Sequence, residues 1–143
     1  MTVSRALIAV LILLVAACSQ SDYSYMREGE PFATSLVQDV TKDWSSDKLV
    51  AQADPRMLKV FPESEIKKML AQCAEGLGPV KRQETLAGRV SVETAIPGKT
   101  VLYTIDVEGE KANGRITVKL QKLDGEWKVL GFWIQRQKST ADK

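Results

Sequence analysis

The chain has 143 residues, with 20 Lys+Arg against 18 Asp+Glu, two cysteines and no histidine. A balance this close to neutral lacks the basic excess that binding to a phosphate backbone needs, so nucleic acid is not an expected partner. Without histidine, and with so few thiols, no zinc-type ligand set can be assembled; there is no Asp/Asn-rich calcium loop either, and no cofactor is expected.

In chain order, Met1 to Arg5 carries one positive side chain, and Ala6 to Ala17 carries no polar one. A spanning helix needs about 20 apolar residues, so this run is the length of a secretion signal rather than of a membrane span. It closes with Val15-Ala16-Ala17-Cys18, which resembles the bacterial lipobox, with valine where leucine is commoner. The resemblance implies cleavage after residue 17, a thioether-linked diacylglycerol on Cys18 and an acylated (palmitate-type) amino terminus. Each buried methylene contributes about 0.8 kcal/mol, so several chains on one residue would anchor the protein durably to a membrane. Ser19 follows the cysteine where an inner-membrane lipoprotein would carry aspartate, and the same resemblance therefore points to the outer membrane, facing the periplasm. With Cys18 acylated, Cys73 is the only thiol left and no internal disulfide can form. The expected organisation is a cleaved signal over 1–17, a lipidated cysteine and flexible tether over 18–30, one α+β domain over 31–136 and a polar tail over 137–143.

The tether is expected because Ser19 to Glu30 is polar and without periodicity; fully extended it would reach roughly 40 Å. Tyr23, Tyr25 and Met26 interrupt its polarity and have two possible places, the membrane interface or the surface of the domain. Behind Pro31, the residues Phe32, Ala33, Leu36, Val37, Val40 and Trp44 share one helical face. Ser45-Ser46-Asp47 supplies a stop and a new N-cap, a short second helix runs from Lys48 until Pro55, and a third opens at Pro62 and ends at Glu75, before Gly76, Gly78 and Pro79. In the third helix Ile66, Met69, Leu70, Cys73 and Leu77 recur at helical spacing, which favours core packing of Cys73 over a reactive thiol.

Strand patterns follow at Val80–Leu86, Val90–Ile96, Thr100–Val107, Arg115–Leu123 and Glu126–Gln135, separated by glycine- and proline-bearing turns. Asp124-Gly125 suits a two-residue hairpin, because both residues accept the positive φ it requires. An unbroken register from that turn sets Ile116 opposite Trp133, Val118 opposite Gly131 and Leu120 opposite Val129 on the core face. It leaves Leu130, Phe132 and Ile134 on the other face, where Leu102 joins them, since Val101, Tyr103, Ile105 and Val107 claim the inner side of their strand. Such a stripe marks an interface unless the tether or a loop covers it. Arg115, Lys119 and Lys128 border it as a basic rim.

About three helices followed by an antiparallel meander of four to five strands, ending in Trp127-Lys128-Val129-Leu130-Gly131, resemble the nuclear-transport-factor-like fold, also called cystatin-like or SnoaL-like. The resemblance covers residues 32–136 and implies a curved sheet wrapped round the helices as a cone. It spans enzymes and non-enzymatic binding modules, so the fold alone assigns no function. The family's enzymes place acid-base residues inside the cone, and no position here asks for that role. Asp106, Glu108 and Glu110 read as a solvated hairpin end, Asp39 and Asp43 as an exposed helix face, and Tyr103 as a core tyrosine with a satisfied hydroxyl.

Two functions follow as expectations. One is a non-catalytic, outer-membrane-anchored lipoprotein that binds a protein partner or a second copy of itself through Leu102, Leu130, Phe132 and Ile134, as an accessory subunit or a periplasmic inhibitor or immunity protein. The other is a small-molecule carrier or isomerase-like activity in a cone cavity lined by Trp44, Met69, Tyr103 and Trp133.

Overall fold

A computed structural model describes the backbone of residues 2–93 and 96–138, with side chains for 21–93 and 96–138. The Cys18 side chain, where lipidation is expected, and most of the expected polar tail lie outside what is described. The chain is an α+β protein, with helices α1 (Thr2–Asp43), α2 (Ser46–Gln52), α3 (Pro55–Val60) and α4 (Glu63–Leu77) followed by strands β1 (Val80–Val92), β2 (Lys99–Gly109), β3 (Asn113–Leu123) and β4 (Glu126–Arg136). The strands form one antiparallel sheet in sequence order, with β1 and β4 at its edges. Among the described residues, no helix is long and apolar enough to cross a membrane.

The helices bury one face of the sheet. Val101, Tyr103, Ile105 and Val107 of β2 and Ile116, Val118 and Leu120 of β3 are each no more than 2% exposed, against Ala33, Val37, Val40, Leu49, Ile66 and Leu70. Each fully buried side chain of this kind contributes about 1.5–3 kcal/mol of transfer free energy.

The expected tether is not a tether over its described part. Helix α1 runs through residues 21–30 without a break, so Pro31 lies inside the helix rather than at its first turn. These residues dock because their few non-polar groups find partners. The Tyr25 hydroxyl donates to Lys99 O at 3.1 Å and accepts from Lys122 N at 2.9 Å, and the Tyr25 ring lies 4.9 Å from that of Trp127. The Tyr103 hydroxyl donates to Met26 O. The crossing is close because two residues lack side chains: a Cβ on Gly29 would lie 2.6 Å from the Tyr103 oxygen, and one on Gly88 would lie 2.8 Å from Met26 Cγ. Gly88 was therefore no turn. The strands expected on either side of it are one strand, β1, whose glycine admits a helix.

Pro55 likewise opens a helix rather than only ending one. Asp54 caps α3, accepting from Arg56 N at 2.8 Å, and proline at the first helical position gives up an N–H that would have had no partner.

The Asp124-Gly125 hairpin forms as expected, with φ of 50° and 80°. From it Leu123 pairs with Glu126, and Leu120 with Val129. The register then slips by one, so that Lys119 faces Gly131, Val118 faces Phe132 and Ile116 faces Ile134. Leu130 is the extra residue of a β-bulge, and an extra residue turns over every side chain beyond it. The expected outer stripe is corrected accordingly: Phe132 is a core residue, 2% exposed, and Ile134 packs against the core. Trp133, expected inside, pairs with Thr117 on the outer face and is 51% exposed. Leu102 stays outside and half-buried, between Arg89 and Lys119. Gly131 admits this arrangement, since the Trp133 ring lies where its Cβ would be.

Candidate functional site

The bulge builds a groove. On one wall stand Leu130, Gly131, Phe132 and Trp133 of β4; on the other stand Met57, Val60 and Phe61, carried by α3 and the residue after it. Met69 of α4 and Ile96 from the β1–β2 connection complete an open apolar cleft of about 440 Å³. Val60 and Trp133 at its lips are 87% and 51% exposed. Four of the eight residues singled out from the sequence therefore meet here, namely Leu130, Phe132, Met69 and Trp133, although they were expected at two separate places. The other four do not join them. Trp44 and Tyr103 are core side chains whose polar atoms are satisfied, the Trp44 indole N–H donating to Gly78 O at 2.9 Å. Burial, the charge of Glu30 and the neighbouring Tyr25 all push the Tyr103 hydroxyl up in pKa, so it stays protonated. Leu102 and Ile134 lie outside the groove's lining.

Among the described residues, Arg56 is the groove's one ionisable lining residue, and it is already engaged. Its Nε and Nη2 donate to Asp54 at 2.8 and 3.1 Å, and Nη2 also donates to Gln121 Oε1 at 2.8 Å. Gln121, 2% exposed, passes the chain on by donating to Pro97 O at 2.6 Å. This network ties the start of α3, β3 and the β1–β2 connection together. Sequence reasoning missed it, although Asp-Pro-x-x before an apolar residue is a cap signature that could have located α3.

The Arg56 hydrogen bonds, opposed in part by burial, hold the Asp54 carboxyl below its ordinary 3.8. Its folded value thus lies below its unfolded one, so the pair stabilises the fold at neutral pH, and that contribution is lost as the pH falls from about 4 through the folded value. Asp106, held down by its hydrogen bonds from Arg115 at 2.7 and 3.0 Å, works in the same direction. Urea midpoints followed from roughly pH 7 to pH 3 are expected to fall less steeply below pH 4 in Asp54→Asn than in the wild type, with a residual slope from Asp106.

The remaining charged candidates are paired or in solvent. Arg115, Lys119 and Lys128, the expected basic rim, meet Asp106, Glu93 and Glu126. Glu108 meets Arg82, and Glu110 is exposed. Cys73 is half-buried against the core, and burial raises its pKa, away from the reactive thiolate. Among the described residues, no group of three or more Cys, Asp or Glu could hold a metal ion. A larger cleft of about 790 Å³ beside the β2–β3 connection is polar, with Lys81, Glu108, Glu110, Lys111 and Arg136 spread along it.

The sheet edge beside the groove differs from the opposite one. Edge strand β1 carries Lys81, Arg82, Glu84 and Arg89, the charges that discourage pairing with another chain. In β4, no residue between Lys128 and Arg136 is charged. Among the described residues, the outer side is engaged at Val129, through a bridge to Ala53 and a hydrogen bond from Asp54 N at 2.8 Å. Among the described residues, no strand pairs with β4 on that outer side. The arrangement offers backbone donors and acceptors beside an apolar trough, which suits binding of an extended apolar segment.

A scan against protein-family models finds no match to this chain, and a search of curated proteins finds none either.

Proposed function

We propose that the protein is a lipid-anchored, non-catalytic binding module of the bacterial envelope, which captures an extended apolar segment of a protein partner along β4. The observation that carries this reading is the uncharged open edge of β4 lying beside the groove. Main-chain hydrogen bonds to the edge would supply affinity, and the trough between Val60 and Trp133 would supply specificity. A non-catalytic role is supported by the lining itself, whose only ionisable side chain among the described residues is bound to Asp54 and Gln121. The anchor is read from the lipobox resemblance ending at Cys18, and the outer-membrane address from Ser19. The bulges in β1 and β4 bend strands locally and support a curved, cone-like sheet of the nuclear-transport-factor type. A partner of this kind fits an accessory subunit or a periplasmic inhibitor or immunity protein; a second copy pairing β4 to β4 would use the same edge.

A small apolar ligand is the second reading, favoured by a groove volume within the usual range of about 300–1,000 Å³. It belongs to this groove rather than to a cavity lined by Trp44 and Tyr103.

The test is capture from solubilised envelopes by the mature lipidated protein and by a Val60→Asp/Trp133→Asp variant, whose substituted positions are exposed and so leave folding intact. The wild type is expected to recover a protein, or a differently tagged copy of itself, with at least tenfold higher affinity, and the Gly131–Gln135 amides should gain hydrogen-exchange protection in the complex. Equal recovery by both forms without that protection would remove the edge as the working surface. An apolar compound in solvent extracts of the wild type alone would favour the second reading.

A further inference from the structure

The folded body begins almost at the anchor position. Asp22 pairs with Lys99 at 2.7 Å, and Lys99 Nζ also donates to Ser21 Oγ at 3.2 Å. Two residues lie between Cys18 and Ser21, so their Cα atoms are at most about 11 Å apart even when the chain is extended. Lys99 opens β2, and Lys122, whose N–H is held by Tyr25, lies near the end of β3. Both mark the end of the sheet that carries the β1–β2 and β3–β4 connections. Any lipid on Cys18 therefore holds that end close to the bilayer.

Three exposed apolar side chains are grouped there. Tyr23 stands beside Asp22 at 56% exposure, Val92 pairs with Lys99 at 73%, and Leu123 leads into the β3–β4 turn at 37%. The nearby lysines are neutralised: Lys99 by Asp22, Lys122 by Glu28, Lys119 by Glu93 and Lys128 by Glu126. One cation, Arg27, lies 5.7 Å over the Tyr23 ring; with the lysines paired, contact at this end would come mainly from apolar insertion. Resting on the reading of Cys18 as acylated, we propose that Tyr23, Val92 and Leu123 form a membrane-contact face that sits in the interfacial layer of the anchoring bilayer. This fixes the domain's orientation and points the β2–β3 connection at Glu110 away from the membrane.

The test uses lipidated mature protein in phosphatidylethanolamine–phosphatidylglycerol vesicles, with Cys73→Ala removing the free thiol and spin labels placed through Val92→Cys, Leu123→Cys or Glu110→Cys. Power saturation with oxygen and with a water-soluble nickel chelate reads depth. The labels at 92 and 123 are expected to show an oxygen-to-nickel accessibility ratio several times that at 110. Equal, water-like ratios at all three positions on protein shown by mass spectrometry to be acylated at Cys18 would overturn the contact face while leaving the anchor intact. Absence of acyl mass on Cys18 would overturn the anchor, and the face with it.

Discussion

Truncating Phe132 to alanine is expected to cost about 3–5 kcal/mol of folding stability, the usual range for a fully buried phenylalanine, whereas Trp133→Ala should cost less than about 1 kcal/mol. The contrast follows from the bulge at Leu130. Phe132 faces Val118 in the core at 2% exposure, while its larger neighbour lies across Thr117 on the outer face at 51%. An unbroken register from the Asp124-Gly125 turn would reverse the two, placing Trp133 against Ile116 and Phe132 in solvent. Urea denaturation of the two variants decides between the registers, and a costlier Trp133→Ala would mean that the bulge is absent.

Gly109→Ala should lose about 3 kcal/mol, at the top of the range for overpacking. A Cβ at Gly109 would fall on the Leu77 carbonyl oxygen and come within 2.7 Å of Ala112 O. Neither carbonyl is free to retreat: Leu77 O accepts from Lys111 N and Ala112 O from Gly109 N, both at 3.0 Å. These bonds hold the C-terminus of α4 to the β2–β3 connection, so relief of the collision breaks one of them. Gly76→Ala, in the same helix end and with nothing within 4 Å of the added carbon, is the control. It should be neutral or stabilise by up to about 1 kcal/mol through helix propensity. Denaturation midpoints that fail to separate the two alanines would refute the packing at this corner.

What could be read from the sequence was whatever repeats at a fixed spacing. Ala33, Leu36, Val37, Val40 and Trp44 mark the buried face of α1, and Val101 to Val107 alternate into the core as expected. The docked stretch before Pro31 could not be read this way, because it is held by Tyr25, Met26 and a gap at Gly29 rather than by a periodic stripe. Its partners Lys99, Tyr103 and Lys122 lie far along the chain. Gly88 looked like a turn because a glycine that admits a crossing helix and one that reverses the chain have the same letter. In β4 the apolar residues of the groove were all recognised, but Phe132 and Trp133 were sorted on to the wrong faces, since a bulge adds a residue without changing composition. The small residue two places before Trp133 was the available signal: only a missing side chain at Gly131 lets that indole lie along the strand.

The Leu130 bulge also changes what an insertion or deletion means at this point in the gene. Losing one codon inside a regular strand turns every side chain beyond it to the other face. Here the strand already carries one residue too many, so losing the codon for Leu130 would close the bulge and leave every pairing beyond it as it is, with Phe132 opposite Val118 and Trp133 opposite Thr117. A lineage could thus gain or lose the bulge, and with it the Leu130 side chain in the groove's wall, in a single genetic event that leaves the core side of the last strand untouched.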